Sequence, residues 1–273
     1  MALWSIDEIL TNVGLRKQQT FGVAFSGGGA RGFAHIGVMM ALREFGIKPD
    51  VISGVSAGSI AAVLYAAGLT PLDIMDCFSQ HGKFSDFTEF SLPKEGFFRL
   101  TKFAKILETW LPVKNLEELS IPTLVCATDF ESGKAKAWAK GEIVPRVIAS
   151  CSIPIVFTPK KIDGINYVDG GVLRNLPAWA IRNYCTTLIG SNCNPVDRKF
   201  KYKNSIIDVA MRSYHLMSKA NAALDIKLCD IVIQTDGLQN VKTFGLSAMK
   251  NVVSRGYDAA CRAFENSPLI PKH

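Results

Sequence analysis

Histidine is scarce in this 273-residue chain: only His35, His81, His215 and His273 are present. A serine–histidine–acid triad or a histidine-rich metal centre must draw on those four, and no cluster with metal-ligand spacing occurs. The seven cysteines include no C-x-x-C pair, and most fall in apolar segments such as Leu124-Val125-Cys126-Ala127. That argues against a disulfide framework and for reduced, buried thiols in a cytoplasmic setting. Pro/Ser-rich stretches, low complexity and internal repeats are also missing, which leaves a single domain over 21–264. Residues 1–20 then form an N-terminal extension and 265–273 a C-terminal tail. The first 20 residues hold Asp7 and Glu8 and no continuous apolar stretch, so no signal peptide is expected.

Charge is modest. Charged residues make up 20% of the chain, with a net charge of +7. The densest basic cluster, Arg198-Lys199-Phe200-Lys201-Tyr202-Lys203, is too short to support nucleic-acid binding and reads as a solvated loop that could touch anionic headgroups. The longest stretch without a charge, Val51 to Leu72, could span a bilayer by length. Ser53, Gly54, Ser56, Gly58 and Ser59 punctuate its first half, however, and a tight turn accounts for them better than a membrane span.

What the chain does have is two glycine-rich turns, each following an apolar run and opening another. Gly27-Gly28-Gly29-Ala30-Arg31-Gly32 leaves Phe21–Phe25, and Gly54-Val55-Ser56-Ala57-Gly58 leaves Val51–Ser53. The second has the G-x-S-x-G form. Glycine at both ends lets strand and helix nearly touch, and the serine is exposed at a helix N-terminus. The first offers a nest of backbone N–H groups suited to a developing oxyanion. Its Gly27, Gly29 and Gly32 also fit G-x-G-x-x-G, so a dinucleotide-dependent enzyme is the competing reading. That fingerprint requires an acidic residue at the end of the second strand. Asp50 begins that strand instead.

Gly-Gly-Gly-Ala-Arg-Gly, then Gly-Val-Ser-Ala-Gly, then Asp169-Gly170-Gly171, in this order, resembles the patatin-like phospholipases, lipid acyl hydrolases with a serine–aspartate dyad. The likeness extends to Phe33–Val38, to Ala149–Pro154 and to the helix near Gly256-Tyr257. It implies an α/β fold of three layers, with a mostly parallel central sheet flanked by helices on both faces. It also implies Ser56 as nucleophile and Asp169 as its partner, with Gly170 and Gly171 forming the turn after the base. Gly27, Gly28, Gly29 and Arg31 would form the oxyanion hole, with the Gly28 and Gly29 amides as donors and Arg31 holding the loop shape. Gly54 and Gly58 would shape the elbow. No cofactor or metal is implied, and the substrates would be lipid esters, phospholipids foremost. A non-catalytic lipid-binding module of the same fold is the alternative.

The residues allow one other catalytic arrangement, a triad of Ser56, Asp169 and His215 in chain order. Several strands precede the elbow in that architecture, and only one clear strand precedes Ser56 here. His215 falls within an amphipathic helix, His35 follows the glycine turn in a structural position, His81 borders a turn and His273 is the last residue. The dyad is therefore expected. It asks a carboxylate to act as base towards a hydroxyl, for which an unperturbed aspartate is poorly suited, so burial must help.

Periodicity predicts strands near Phe21–Ser26, Val51–Ser53, Pro122–Thr128, Ile162–Val168, Thr187–Gly190 and Asp230–Gln234. It predicts helices near Phe33–Phe45, Ser59–Ala67, Leu72–Phe78, Phe103–Trp110, Glu142–Ala149, Ala178–Asn183, Ile206–Leu224 and Ala248–Phe264. From Phe97 to Leu111, apolar residues recur at helical spacing with Arg99, Lys102 and Lys105 between them. This suits either a lid or interfacial helix in transient contact with a membrane, or an ordinary packed helix. The expected protein is cytoplasmic, with peripheral contact at a membrane.

Overall fold

The computed structural model describes residues 20–81, 84–91, 96–194 and 205–270. The basic cluster Arg198–Lys203, nearly all of the 1–20 extension and the last three residues lie outside them. Ile270, in the expected tail, is buried in the main core.

Eight strands make the principal sheet: β1 (Phe21–Phe25), β2 (Pro49–Val55), β5 (Thr123–Asp129), β6 (Lys134–Trp138), β8 (Lys160–Ile162), β9 (Ile165–Asp169), β10 (Thr187–Asn192) and β11 (Ile231–Gln234). Strands β11-β10-β1-β2-β5 are parallel in that order. The helices that cover them are α1 (Ala34–Glu44), α2 (Ala57–Ala66), α3 (Pro71–Ser79), α4 (Thr101–Trp110), α5 (Ile143–Cys151), α6 (Ile206–Ile226) and α7 (Met249–Glu265). The mostly parallel α/β architecture is thus as the sequence implied.

Side-chain alternation sets the layers. Val23, Phe25 and Ile52 pack into the larger core with α1, α2 and α7. Ala24, Val51 and Val55 point the other way, towards Leu176, Ile181 and Ala222 of α6. Helices α1 and α7 cross at backbone contact: a Cβ on Gly37 would overlap Val253 O, and one on Gly256 would overlap Ala34 O.

Several elements differ from expectation, and strand β6 (Lys134–Trp138) corresponds to no expected element at all. The single strand over Ile162–Val168 is a hairpin, β8 turning into β9 at Asp163 (φ 49°) and Gly164 (φ 86°). Two successive positive φ values make the turn that joins antiparallel strands, and Asp-Gly is suited to it. The helix over Ala178–Asn183 is two 3₁₀ turns, Pro177–Ala180 and Arg182–Tyr184, because Ile181 between them leaves helical geometry at φ −127°. The segment before α4 contributes β3 (Glu89–Phe90) and β4 (Gly96–Arg99), which join β7 (Ile155–Phe157) in a second, three-stranded sheet.

The way β9 enters the main sheet positions the site. Strand β6 pairs with Val125–Asp129 of β5, overlapping the β2 partners at Val125 and Cys126 and the β9 partners from Ala127 to Asp129. A strand has two edges, so β6 occupies one, and β2 and β9 share the other. They meet there end to end: Val55 lies opposite Cys126, and Asp169 lies opposite Ala127.

Candidate active site

Ser56 stands where β2 stops and α2 begins, with φ 53° and ψ −126°. An L-residue adopts this backbone only when its surroundings enforce it. The enforcement is visible. Its carbonyl accepts from Ser59 N (2.8 Å) and Ser59 Oγ (2.7 Å), and its own N–H donates to Ser150 Oγ (2.8 Å). Ser150 in turn donates to Cys126 O (2.6 Å). Glycine at Gly54 and Gly58 is required by space: a Cβ on Gly58 would overlap Phe25 O, and one on Gly54 would overlap Gly58 O.

Asp169 ends β9 fully buried. Its Oδ1 accepts from Gly171 N (2.8 Å) and from the Tyr214 hydroxyl (2.9 Å). Its Oδ2 has no hydrogen-bond partner among the described residues. Burial pushes the carboxyl up to about 6, partly offset by the Ser56 hydroxyl, the Gly171 N–H and Tyr214. The site therefore holds a desolvated carboxyl with one open oxygen beside a strained serine.

Among the described residues, three N–H groups of the glycine turn have acceptors outside regular helix bonding or within the turn itself. Gly27 N donates to Asn175 O (3.1 Å), Ala30 N to Thr243 O (2.7 Å) and Arg31 N to Gly28 O (3.2 Å). Gly27 and Arg31, counted with the oxyanion hole from sequence, thus shape the turn rather than offer free N–H groups. Neither Gly28 nor Gly29, the donors expected from the sequence, is engaged by these three bonds. Gly29, at φ 57°, also leaves no room for a side chain, since a Cβ there would overlap Thr243 O. The Arg31 side chain reaches Val241 O (3.3 Å) and Asn194 Oδ1 (3.0 Å), tying the turn to the segments after β10 and β11.

No described histidine contacts Asp169. His35 is buried beneath the glycine turn, with Nε2 2.8 Å from Ser26 O and Nδ1 2.9 Å from Ser191 Oγ. A carbonyl only accepts, so Nε2 carries the proton. Burial lowers this imidazole to about 4 and keeps it neutral. His215, also lowered to about 4 by burial, meets Thr243 Oγ1 at 3.3 Å. Adjacent helical residues face different directions, and on α6 it is Tyr214 that faces the carboxylate. Asp50 binds Phe21 N (2.7 Å) at the amino end of β1, a full strand length from the glycine turn. It cannot serve a ribose there.

Sequence reasoning missed Tyr214, Ser150 and Asn175. Asn175, whose carbonyl fixes Gly27, is itself held through its N–H by Asn221 Oδ1 (2.7 Å) of α6. These residues lie far apart along the chain and form no short motif. Two signals were available: Ser150 lies in the Ala149–Pro154 stretch that carries the family likeness, and Tyr214, Ser218, Asn221 and Asp225 share a helical spacing.

A cavity of about 150 Å³ opens beside Ser56, between the glycine turn, α2, α3 and α4. Phe33, Phe78, Phe87, Phe103, Phe157 and Phe244 line it, with Cys151 near the serine. The Cys151 thiol is raised far above its usual value by burial and stays protonated. Helix α4 turns its apolar side inward: Phe103 and Leu107 are buried, and the Trp110 ring lies 4.9 Å from that of Phe78. Lys102 and Lys105 face outward. The apolar face that the sequence offered to a membrane is thus covered by the protein itself. Among the described residues no helix is long and apolar enough to cross a membrane, and no three His, Cys, Asp or Glu side chains are grouped to hold a metal.

The fold and site define an α/β protein with a serine elbow opposed to a buried carboxylate and an apolar cavity between its layers. The chain belongs to the patatin-like phospholipase family, whose pattern residues 23–181 match. It is 34% identical over 161 residues to an uncharacterized NTE family protein of Mycobacterium tuberculosis, covering 57% of this chain and 43% of that protein. It is 29% identical over 173 residues to neuropathy target esterase sws of Drosophila melanogaster, covering 60% of this chain and 12% of that protein. The chain thus spans less than half the length of these relatives. Among solved structures, VipD from Legionella pneumophila shares the fold with a TM-score of 0.58 at 15% identity, over 91% of this chain and 67% of that one.

Proposed function

We propose that this protein is a lipid acyl hydrolase in which Ser56 and Asp169 work as a dyad. The observation that carries this reading is the meeting of β2 and β9 on one edge of β5, which sets an open, desolvated carboxylate oxygen beside the serine. Ser56 Oγ attacks the ester carbonyl carbon while its proton passes to Asp169 Oδ2. The negative charge that forms on the carbonyl oxygen is held by the Gly28 and Gly29 N–H groups. Collapse breaks the ester C–O bond, and the departing alkoxide takes the proton from Asp169. Water then gives a proton to Asp169 and attacks the acyl-serine. The proton returns to Ser56 Oγ as the carboxylic acid leaves.

Burial helps the weak base. A carboxyl near 6 is a stronger proton acceptor than an ordinary aspartate and is still mostly ionised at neutral pH. The apolar cavity suits the hydrocarbon of an acyl chain, as the family's lipid substrates imply. Glycerophospholipids are the proposed substrate class. The segment 97–111 walls the cavity and presents Arg99, Lys102 and Lys105 outward for transient contact with anionic headgroups.

Intact-mass analysis after exposure to a fluorophosphonate tests the assignment. One adduct on the wild type, absent from a folded Ser56→Ala variant, is the expected result. An adduct that persists in Ser56→Ala overturns it.

A further inference from the structure

Tyr214 lies outside the family-matched residues 23–181 and belongs to a polar stripe along α6. Tyr214, Ser218, Asn221 and Asp225 are spaced four, three and four apart, which puts them on one helix face. Every one of them holds the segment that starts at Asp169. Ser218 Oγ and Asn221 Nδ2 both donate to Gly171 O (2.9 Å each), and Asn221 Nδ2 also reaches Val172 O (3.2 Å). Asp225 accepts from Arg174 Nε (2.7 Å) and Nη2 (2.8 Å) and from Trp179 N (2.9 Å). Tyr214 is the member that reaches the carboxylate itself.

We propose that Tyr214 is a positioning residue for the reaction: its hydroxyl selects which oxygen of Asp169 serves as the base and keeps that carboxyl ionised. This rests on the dyad reading above. A carboxylate oxygen has about two lone-pair sites, and Oδ1 uses both, on Gly171 N–H and Tyr214 O–H. Oδ2 alone remains open. Without the tyrosine hydroxyl, Oδ1 keeps a single donor, and rotation about the terminal torsion exchanges the two oxygens more easily. The phenol ring is fixed among Ile153, Val156 and Phe157, so its hydroxyl cannot wander.

The titratable groups acting on Asp169 are Tyr214 from α6 and Cys151 from α5, with the Ser56 hydroxyl from the elbow. Tyrosine and thiol are both pushed upward by burial and remain neutral. The ionised carboxylate is therefore favoured by hydrogen bonds alone, and Tyr214 supplies one of the two that Oδ1 accepts.

The test is the pH profile of kcat/KM for a short-chain phospholipid in wild type, in Tyr214→Phe and in protein carrying 3-fluorotyrosine at 214. Removing a hydrogen bond to a charged group should raise the acid limb by about one unit in Tyr214→Phe. The rate should fall about fivefold at pH 6, approach a tenfold loss below it and largely recover by pH 8. Fluorotyrosine is a stronger donor of nearly the same shape and should move the limb downward, which decides the matter even if Tyr214→Phe folds poorly. A rate lowered equally at every pH, or an unmoved limb with fluorotyrosine, overturns the proposal. Fluorophosphonate labelling of the wild type separates the two levels: failure to label refutes the dyad, whereas normal labelling with an unmoved limb refutes only the role of Tyr214.

Discussion

At the scale of single residues, Ser56 and Asp169 both store unfavourable free energy. Ser56 has a left-handed φ of 53°, and Asp169 is a buried carboxyl whose usual value of 3.8 is raised to about 6. The folded chain binds that proton more tightly than the unfolded one. Its contribution to stability is therefore full below 3.8 and is lost as pH rises through about 6. Above that, ionisation costs up to about 3 kcal/mol, at 1.36 kcal/mol per unit. Asp169→Asn should thus abolish turnover and yet melt at least as high as the wild type at pH 8, with no such advantage at pH 4. Thermal melts at the two pH values check this. Gly29→Ala should lower kcat by about 10²–10³, the cost of a displaced oxyanion donor, because a Cβ there meets Thr243 O. Ester hydrolysis by the folded variant provides the check. Ser56, Asp169 and the glycines were legible in the sequence because each sits in a short turn whose geometry restricts residue type. Tyr214 and Asn175 were not, and Ser150 was visible only as part of the Ala149–Pro154 likeness without a role, since long-range contacts select them and many residue types satisfy the local backbone.

At the scale of elements, period-3.6 and period-2 patterns located the long helices and the parallel strands. They failed where a two-residue turn or a residue outside helical geometry, as at Ile181, interrupts a run. Asp163-Gly164 was itself a hairpin signal, and the apolar run around it concealed the change of direction. The small sheet of β3, β4 and β7 was illegible because its strands have two to four residues, too few to show a period. The contact of α1 with α7 carries a prediction at this scale. Gly37→Ala or Gly256→Ala forces two backbones apart and should destabilise by about 1–3 kcal/mol, read as a lower midpoint in urea. An unchanged midpoint would mean that the helices do not touch as described.

At the scale of the whole molecule, the family-matched stretch ends at residue 181, and the C-terminal part of the chain completes the site. Strands β10 and β11 extend the sheet beyond β1, Asn194 and Val241 hold Arg31, and α6 braces the turn after Asp169. The sequence motifs pointed to the proposed reacting groups but not to this support, because support is a property of the closed fold. The cavity likewise exists only when helices from separate parts of the chain come together. Ala61 lines it. Ala61→Leu should therefore reduce kcat/KM for long acyl chains relative to short ones by at least about tenfold, each displaced methylene counting for about 1–3 kcal/mol. A p-nitrophenyl ester series running from short to long acyl chains would show it.

The claim beneath all of these is that a buried carboxylate, without histidine, activates Ser56. It is tested most directly by the rate of fluorophosphonate reaction with Ser56 as a function of pH in wild type, Asp169→Asn and His215→Ala. The account predicts a wild-type rate that rises through about pH 6, the same limb in His215→Ala, and loss of that limb with strongly slowed labelling in Asp169→Asn. Fast labelling in Asp169→Asn, or a limb that disappears with His215, would contradict it.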